Sequence, residues 1–444
     1  MKEVIFKAYD VRGRYPDEIN EEAVAETASV LAKRWKKGKV LIGHDARLSS
    51  PSLYKAISRS LVVGRKSLVV VSLGECTTPM FYFWCHRLKS PGIMITASHN
   101  PKDFNGLKVV GPTGEVISGS EIKKWIPLET APALARPGGA VGRAVSNGMD
   151  YLKPYVGFLE KKVKLAGPLS VVFDCFNGVT GIVVSKLKAN GLKARVLNHQ
   201  PDGRFPAHGP NPMLSDALSQ LKKEVKKQEA DFGAAFDADG DRVFFVDDRG
   251  REVPSDAVLG LISQAFRGPI AVDVRAGYLA KELMGAGGKR IIESRVGHYF
   301  FKKLMKAKKA GFGGEMSGHY YSSLAPGKFF DSGIAAALYF ANEVSELKRL
   351  GGKLSDWLDS LPKYYRSGES NFVIRDKNEV IKEVSRRYSR MARKISRKDG
   401  LKMEFADWWF IIRPSQTEDF LRLNLEAKDK KVFQKRLAEL RRFF

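Results

Sequence analysis

Short apolar segments rich in β-forming residues alternate with longer helical patterns up to about residue 345, and this alternation constrains the fold more than any other feature. The segments are KVLIGHD, SLVVVSLG, GIMITAS, LSVVFDC, KARVLNH, DFGAAFD, PIAVDVR, KRIIESR and GFGGEM. Strands that alternate with helices are typical of stacked α/β units in which most strands run parallel. The sequence therefore predicts an α/β protein with mixed, mostly parallel sheets.

Polar clusters end four of the apolar runs. They are GHDAR (43–47), TASHNP (96–101), DADGDR (237–242) and GEMSGH (314–319). In open α/β sheets, ligands bind at the carboxyl ends of the strands. These clusters are therefore the first candidates for a functional site.

The chain of 444 residues is longer than one hydrophobic core usually serves, so we expect two to four domains. Candidate seams rich in proline, glycine or charge are 131–144, 247–254 and 361–370. After the last seam, a basic helical stretch precedes two strands and a closing helix. The pattern predicts three consecutive α/β domains and a smaller C-terminal α+β domain, with bounds at 1–148, 149–249, 250–364 and 365–444.

The chain is strongly basic, with 75 lysine and arginine residues against 49 aspartate and glutamate residues and a formal net charge of +26. Such a charge attracts polyanions and small anionic molecules. Much of the excess lies at helical spacing in 302–311 and 383–398, as expected of solvated helix faces, and the sequence has no motif of a nucleic-acid-binding module. We therefore expect small anionic molecules rather than nucleic acid as partners.

The three cysteines, Cys76, Cys85 and Cys175, form no C-x-x-C pair, which favours buried reduced thiols over disulfides or zinc ligands. No apolar run approaches the roughly 18 residues that a membrane-spanning helix needs. The first residues, MKEVIFKAYDVRG, lack the apolar core of a signal peptide. We expect a soluble cytoplasmic protein that does not bind a membrane.

The segment DFGAAFDADGDRVFFVDD places Asp237, Asp239 and Asp241 at alternate positions, with Gly240 between the last two. A looped backbone can turn alternate side chains toward one point, and clustered carboxylate oxygens suit a hard divalent cation. An EF-hand calcium loop is disfavoured because Asp248, rather than glutamate, is twelfth counted from Asp237. A solvated acidic turn is the simpler alternative, but apolar FGAAF and VFFV on both sides place the carboxylates at a strand terminus.

Ser98 and His99 follow the apolar segment GIMI, and Lys108 of NGLK lies ten residues beyond Ser98. A serine next to a histidine does not by itself define a nucleophile and its base, and a helix N-cap is the simpler role for Ser98. Lys108 is able to donate or accept a proton if it is desolvated in the same site. The three residues are candidates for catalysis.

The motif GEMSGH supplies Glu315, Ser317 and His319 on a glycine-framed loop. Their hydrogen-bonding groups suit the hydroxyls of a sugar, and a plain turn is the alternative. The sequence therefore offers a candidate sugar-binding loop here.

The motif RPSQTED places Arg413, Ser415 and Thr417 on one loop, where a guanidinium and two hydroxyls can hold a phosphate. An exposed hairpin turn is the alternative. Together the clusters supply a hydroxyl nucleophile, a cation site, a sugar-binding loop and a phosphate-binding loop. This combination predicts phosphoryl transfer on a sugar phosphate.

The motifs YDVRG, TASHNP, NGLK, DADGDR, VGH, GEMSGH and RPSQT occur in an order that resembles the α-D-phosphohexomutase family across essentially the whole chain. The resemblance implies four domains around a central cleft and an intramolecular phosphotransferase of the phosphomannomutase/phosphoglucomutase subgroup. Such an enzyme interconverts hexose 1-phosphate and hexose 6-phosphate through a phosphoserine and a hexose 1,6-bisphosphate. The resemblance also implies Mg²⁺ as cofactor and small-molecule sugar phosphates as partners.

The site residues implied by the resemblance fall into three groups. Ser98 carries the phosphoryl group and binds the metal together with Asp237, Asp239 and Asp241. The residues implied for catalysis and its support are Arg12, His99, Lys108, Arg242 and His319. Those implied for contacts with the sugar or its phosphate are Arg275, His298, Glu315, Ser317, Arg413, Ser415 and Thr417.

Two positions depart from the family pattern. Arg275 stands in VDVR where relatives often carry a substrate-contacting lysine, which keeps the charge and changes the geometry. Gln416-Thr417-Glu418-Asp419 stands where the family usually has asparagine or glycine, threonine, any residue and proline. The shape of this phosphate loop is therefore expected to differ from that of its relatives.

The motif GEMSGH resembles the phosphomannomutase/phosphoglucomutase subgroup, whereas glucosamine-phosphate mutases more often have glutamine at the position of Met316. We therefore favour mannose and glucose phosphates, with phosphoglucosamine mutase as the alternative enzyme. The alternatives from other classes are a metal-dependent serine phosphatase, a non-catalytic sugar-phosphate sensor and a nucleic-acid-binding protein.

Overall fold

The computed structural model describes residues 3–63, 67–126, 149–415 and 420–444. The chain forms two compact units: Met1–Pro254 with Gly318–Trp357, and Ser255–Ser317 with Leu358–Phe444. The predicted seam at 131–144 lies outside the described residues.

The helices follow the helical patterns of the sequence with one correction: the stretch 383–398 is helical only up to Tyr388, and Lys394–Ser396 forms a strand. Polar side chains cap several of the helices. Asn20, Thr77 and Ser118 each accept a hydrogen bond from a backbone N–H of the first turn. After a short 3-10 helix at Glu3–Ile5, the helices are α1 (Glu21–Trp35), α2 (Ser50–Val62), α3 (Thr78–Arg87), α4 (Gly119–Trp125), α5 (Leu152–Glu160), α6 (Thr180–Val184), α7 (Ser219–Lys227), α8 (Ser255–Ser263), α9 (Tyr278–Ala286), α10 (His298–Lys308), α11 (Gly333–Arg349), α12 (Leu354–Asp359), α13 (Lys377–Tyr388) and α14 (Lys430–Arg441).

The strands include all of the predicted apolar segments. They are β1 (Val11–Arg14), β2 (Gly38–His44), β3 (Leu68–Glu75), β4 (Gly92–Ile95), β5 (Phe104–Val110), β6 (Val116–Ile117), β7 (Leu169–Asp174), β8 (Leu192–Leu197), β9 (Phe232–Phe236), β10 (Val243–Asp247), β11 (Glu252–Val253), β12 (Ile270–Asp273), β13 (Ile291–Ser294), β14 (Phe312–Gly314), β15 (Tyr320–Ala325), β16 (Lys328–Asp331), β17 (Tyr365–Arg366), β18 (Ser370–Phe372), β19 (Lys394–Ser396), β20 (Leu401–Glu404), β21 (Trp408–Pro414) and β22 (Leu421–Ala427).

The first unit contains two mixed sheets. One has the order β1-β5-β4-β2-β3, with β6 paired to β5, and the other has the order β11-β10-β9-β7-β8. In the first sheet β2 is parallel to β3 and β4, so GHDAR and TASHNP leave the same edge. In the second, β9 and β10 form an antiparallel hairpin whose turn is DADGDR. Every residue of β4 and β9 is buried, as expected of strands with both faces covered.

Helix α11 completes the first unit and supports the DADGDR turn. Phe340 stacks on Phe245 of β10 with ring centroids 4.1 Å apart. At the start of the helix, Gly333 N donates to Gly240 O over 3.0 Å. A Cβ at Gly333 would lie only 2.4 Å from Arg242 O, so this close approach requires glycine. The aspartate turn is therefore packed against a helix on one side.

The second unit contains a parallel arrangement of β13, β12 and β14, and a C-terminal antiparallel sheet in the order β17-β22-β21-β20-β19 with β18 paired to β22. Helices α13 and α14 contribute Val384, Tyr388 and Leu440 to the apolar core of that last sheet. The predicted combination of mixed α/β sheets and a smaller α+β C-terminal region is confirmed. The bounds of the four domains stay a prediction.

Three further expectations concern cysteines and membrane segments. Cys76, Cys85 and Cys175 are buried and form no disulfide, as predicted. Burial raises the pKa of the Cys76 thiol. In the part of the chain that the structure describes, no helix has the length and apolar character needed to cross a membrane.

Candidate active site

Ser98 lies in the loop after β4, with its side chain directed at the aspartate turn. Its Oγ donates a hydrogen bond to Asp237 Oδ2 over 2.7 Å, and only 2% of the residue is exposed. Its backbone is left-handed, with φ +51°, a conformation that costs about 1–2 kcal/mol for a residue with a Cβ. The chain from Ser98 to β5 forms turns, so Ser98 does not cap a helix. The N-cap alternative is therefore wrong.

Arg47 of GHDAR holds this serine loop in place, although it is not among the predicted site residues. Only 1% of Arg47 is exposed. Its guanidinium donates to the backbone oxygens of Ser98 at 2.7 Å, Asn100 at 2.6 Å, Pro101 at 2.5 Å and Phe104 at 3.0 Å, and to Asp45 Oδ2 at 3.1 Å. A single planar group thus satisfies four carbonyls of the loop that carries Ser98.

Replacing Arg47 by lysine tests this positioning role. Lysine keeps the charge, but its three donors leave one point and are unable to reproduce the planar fork. Since small misplacements of reacting groups cost up to about 100-fold in rate, we expect R47K to lower kcat by roughly 10- to 100-fold while KM changes little. Steady-state kinetics and a melting curve would measure this, and an unchanged kcat in a folded variant would contradict it.

The three aspartates of DADGDR converge as predicted. Asp237, Asp239 and Asp241 are buried, and one carboxylate oxygen of each lies within 4.8 Å of the others. Lys108 Nζ donates to Asp239 Oδ2 at 2.6 Å and also to Asp241 Oδ2. Thr78 Oγ1, at the start of α3, donates to the same Asp239 oxygen over 2.5 Å. Three carboxylates are therefore held together around one point.

The charges of this cluster are only partly compensated. Burial and the two neighbouring carboxylates hold the pKa of Asp237 well above its usual range. Lys108 and His319 hold the pKa of Asp241 well below its usual value, although burial opposes this shift. Within the described residues, the buried Asp239 Oδ1 has no hydrogen-bond partner. Such a set of carboxylate oxygens fits a hard divalent cation.

Lys108 and His99 differ in charge, because their surroundings shift their pKa values in opposite directions. Burial lowers the pKa of Lys108, but Asp239 and Asp241 outweigh it and hold the pKa well above its usual value. Burial, together with Arg242, holds the pKa of His99 well below its usual value. Lys108 is therefore protonated and His99 neutral at pH 7, and His99 Nδ1 lies 3.3 Å from Ser98 Oγ.

Arginines Arg12 and Arg242 approach the serine loop and the aspartate turn. Arg12 Nη1 donates to Asn100 Oδ1 over 2.8 Å and pairs with Asp10. Arg242 N donates to Asp237 Oδ1 over 3.1 Å, and its Nε lies 3.3 Å from His319 Nε2. The first unit thus brings together its predicted residues around Ser98.

His319 adds a second group of metal-ligating side chains that shares Asp241. Ligand atoms of Asp241, His319 and Asp331 lie within 4.8 Å of one another. Asp331 is buried, ends β16 and immediately precedes Ser332, the N-cap of α11. The sequence offered one signal for Asp331, an acidic residue at the end of the segment KFFD, and it is not among the predicted site residues.

In the second unit, Arg275 is held by carboxylates. Its Nη2 donates to Asp273 Oδ2 over 2.7 Å, and its Nη1 lies 3.3 Å from Glu369 Oε2. Asp273 Oδ2 also accepts from Met316 N at 2.8 Å, which ties Arg275 to the start of GEMSGH. The arginine that departs from the family pattern is therefore fixed by two acidic residues.

The remaining predicted residues of the second unit lie at helix and strand ends. Glu315 Oε1 accepts from Gly297 N over 2.7 Å, next to His298, which opens α10. The boundary between the units falls after Ser317, so Glu315 and Ser317 belong to one unit and His319 to the other. In the candidate phosphate loop, Arg413 lies in β21, Ser415 follows this strand, and Thr417 lies outside the described residues.

Family models match the chain along almost its whole length. They are described as phosphoglucomutase/phosphomannomutase, alpha/beta/alpha domains I, II and III and C-terminal domain, and match residues 3–127, 149–250, 254–365 and 369–443.

Individual proteins of this kind are also similar to the chain. "Phosphohexose mutases" of Xanthomonas campestris pv. campestris are 34% identical, with 98% of both chains covered. A phosphomannomutase of Methanocaldococcus jannaschii is 32% identical, covering 99% of this chain and 97% of that one. A crystal structure of a phosphoglucomutase/phosphomannomutase family protein from Burkholderia thailandensis has a TM-score of 0.85 at 26% identity and covers 100% of this chain and 97% of that one.

Proposed function

Because the chain belongs to the phosphoglucomutase/phosphomannomutase family, we propose that it interconverts hexose 1-phosphate and hexose 6-phosphate, with mannose and glucose phosphates as substrates. The observation that supports this best is the hydrogen bond from Ser98 Oγ to Asp237, inside a cluster of buried carboxylates. A hydroxyl at that place is suited to carry a phosphoryl group. Sugar phosphates are also the small anions that a net charge of +26 attracts.

In the proposed cycle, phospho-Ser98 transfers its phosphoryl group to the free hydroxyl of a hexose monophosphate. The bond from phosphorus to Ser98 Oγ breaks, a bond from the sugar oxygen to phosphorus forms, and the hydroxyl proton leaves the sugar. The resulting hexose 1,6-bisphosphate turns round and returns its other phosphoryl group to Ser98. The enzyme is phosphorylated again at the end, and no phosphate is released.

The different charges of His99 and Lys108 suit different roles in the proposed reaction. Neutral His99 is able to accept a proton close to Ser98 Oγ. Lys108, whose pKa is raised by Asp239 and Asp241, keeps its proton and adds positive charge beside the carboxylates. Arg12 and Arg242 bring positive charge to the same loops, where it stabilises the phosphoryl oxygens. We assign proton transfer and catalytic support to His99, Lys108 and His319, and charge stabilisation to the two arginines.

Mg²⁺ is the proposed cofactor. Asp237, Asp239 and Asp241 would hold it together with an oxygen of the phosphate on Ser98. When bound, it supplies charge neutralisation for the phosphoryl oxygens and orientation of the reacting groups. The buried carboxylate oxygen Asp239 Oδ1, which lacks a partner among the described residues, supports this assignment.

We assign recognition of the sugar and of the phosphate that is not transferred to the second unit. Glu315, His298 and Ser317 provide hydrogen-bonding groups for hydroxyls. Arg275, Arg413, Ser415 and Thr417 provide the contacts to phosphate. Because one serine serves both half-reactions, the same arginine must hold the remaining phosphate whether it is attached to C1 or to C6.

Replacing Arg413 by alanine tests this shared grip. The side chain is 3% exposed, and a desolvated charged contact of this kind is worth about 2–5 kcal/mol. We therefore expect R413A to raise KM by roughly 30-fold or more for hexose 1-phosphates and hexose 6-phosphates alike. Steady-state kinetics in both reaction directions measure the two KM values. An effect confined to one direction would mean that Arg413 serves only one orientation of the bisphosphate.

Turnover of mannose, glucose and glucosamine phosphates, measured side by side as kcat/KM, tests the proposed function. We expect mannose and glucose phosphates to be isomerised with total sugar phosphate conserved. Preference for glucosamine phosphate would identify the alternative mutase, and stoichiometric release of inorganic phosphate would identify a phosphatase. A salt-sensitive mobility shift with DNA would instead revive the nucleic-acid alternative.

A further inference from the structure

Three arginines of the second unit converge on one carboxylate. Glu369 Oε2 lies 2.7 Å from Arg413 Nη2 and 3.3 Å from Arg275 Nη1, and Glu369 Oε1 lies 3.1 Å from Arg422 Nη1. The Glu369 side chain is 25% exposed, so solvent and solutes reach it. The three guanidinium side chains are 3%, 9% and 18% exposed. The glutamate thus occupies a cradle of largely buried cations.

Two of these arginines lie opposite each other in the C-terminal sheet. Arg413 of β21 and Arg422 of β22 are directly opposite each other in the antiparallel register. Like charges at such positions repel and destabilise a sheet. Asp273 pairs with Arg275, whereas within the described residues Arg413 pairs with Glu369 and with no aspartate. Glu369 is therefore the anion that bridges the cross-strand pair.

The backbone brings Glu369 to the arginines from a short connection. Glu369 lies between β17 and β18, which both pair with β22. The residue before it, Gly368, has φ +65°, and its carbonyl accepts from Asn424 Nδ2 over 3.1 Å. Arg275, Arg413 and Arg422 also lower the pKa of Glu369 although burial opposes this, so the side chain is ionised at pH 7. A charged carboxylate is thus built into this position.

We propose that Glu369 is a resident substitute for the substrate phosphate, binding the arginine cluster when it is empty and competing with the phosphate that the cluster takes. Carboxylate and phosphate oxygens use the same guanidinium donors, so the two anions exclude each other at Arg413. The inference rests on the proposed function, because that function assigns Arg413 to phosphate. Glu369 is a positioning residue that sets the strength of the phosphate grip.

This competition has a functional consequence. The apparent affinity of a ligand is reduced by the fraction of sites that are competent to bind it. A cluster that is filled by its own glutamate therefore binds phosphate more weakly and releases it more readily. Release is required in the proposed cycle, because the bisphosphate must leave one orientation before it takes the other.

Direct binding of inorganic phosphate to the full-length protein tests the inference. We expect E369Q to bind phosphate about ten-fold more tightly than the wild type, because the competing charge is gone. In the absence of phosphate its melting temperature should be lower, since the negative charge between Arg413 and Arg422 is then lost. Added phosphate should remove this difference. E369D, which keeps the charge on a shorter side chain, should return phosphate affinity toward the wild-type value.

Kinetics supply a second readout that a purely structural role would not give. With hexose phosphates, KM of E369Q should fall while kcat falls as well, because release becomes slower. Exposed Glu379, which pairs with Arg386 and Lys382 in the same C-terminal region, provides the matched control E379Q, with wild-type phosphate affinity expected.

Weaker or unchanged phosphate binding by E369Q would overturn the inference. Should E369Q fail to fold, E369A takes its place: tighter phosphate binding than the wild type supports competition, and weaker or unchanged binding overturns it. Absence of mutase activity in the wild type with any hexose phosphate would refute the proposed function, whereas the phosphate measurements would still test Glu369.

Discussion

We expect S98A to lose at least about four orders of magnitude in mutase activity while it stays folded. Alanine removes the only atom that can carry the phosphoryl group in the proposed cycle, so residual binding of substrate does not rescue turnover. The lost hydrogen bond to Asp237 is one contact of a loop that Arg47 still holds through four carbonyls. Steady-state rates, a melting curve and intact mass measure the three parts of this expectation.

The mass of the active wild-type protein provides the complementary result. A phosphorylated species that maps to Ser98 is expected, and S98A should lack it. The exposed serine Ser323, whose hydroxyl bonds Ala325 O, provides S323A as a control with unchanged activity and phosphorylation. Substantial turnover by S98A, or active enzyme without phosphate on Ser98, would contradict the assignment of the nucleophile.

We expect D239N to lower activity by about two to three orders of magnitude and to abolish activation by magnesium. The change keeps the shape of the side chain and removes one of three convergent negative charges. Thr78 and Lys108 both donate to Asp239 Oδ2, so the asparagine oxygen can retain these contacts while the cation loses a charged ligand. Rates measured with chelator and then with added magnesium test this expectation.

A control with the same chemical change is D231N. Asp231 pairs with Lys348 and accepts from Ser170 N, away from the carboxylate cluster. Its substitution should leave magnesium activation intact. If D239N retained full activity and the same dependence on magnesium, the metal assignment would be wrong.

Much of the candidate site follows from the sequence because it uses local patterns. Polar clusters after apolar runs predict strand ends, and Ser98 and the three aspartates lie at such ends and do converge. Seven motifs in one order predict the family and the class of enzyme, an intramolecular phosphotransferase, and the matching family models confirm both.

Contacts that depend on the three-dimensional register were not predictable from the sequence. Arg47 binds backbone carbonyls, which carry no sequence signal, more than fifty residues away. The pairing of Arg413 with Arg422 depends on which residues of β21 and β22 face each other. Glu369 stands in a connection, RSGES, whose letters suggest only a turn. These residues position the loops and compensate charges in the folded chain, whereas the motifs show only which residue types are present.

The C-terminal sheet shows the same limit. The sequence predicts β21 and β22, which have seven residues each, whereas β17, β18 and β19 have two or three residues each and are half-buried or exposed. Segments this short have no alternation that could distinguish a strand from a loop. Their pairing partners on β20 and β22 define them as strands.

Transfer of a labelled phosphoryl group from Ser98 tests the central claim most directly. The protein is isolated with radioactive phosphate on Ser98 and mixed with unlabelled hexose 6-phosphate and magnesium. We predict that the label leaves Ser98 and appears first in hexose 1,6-bisphosphate and then in hexose monophosphate, with no labelled inorganic phosphate. Isomerisation while the label stays on Ser98, or label that leaves only as inorganic phosphate, would contradict the account.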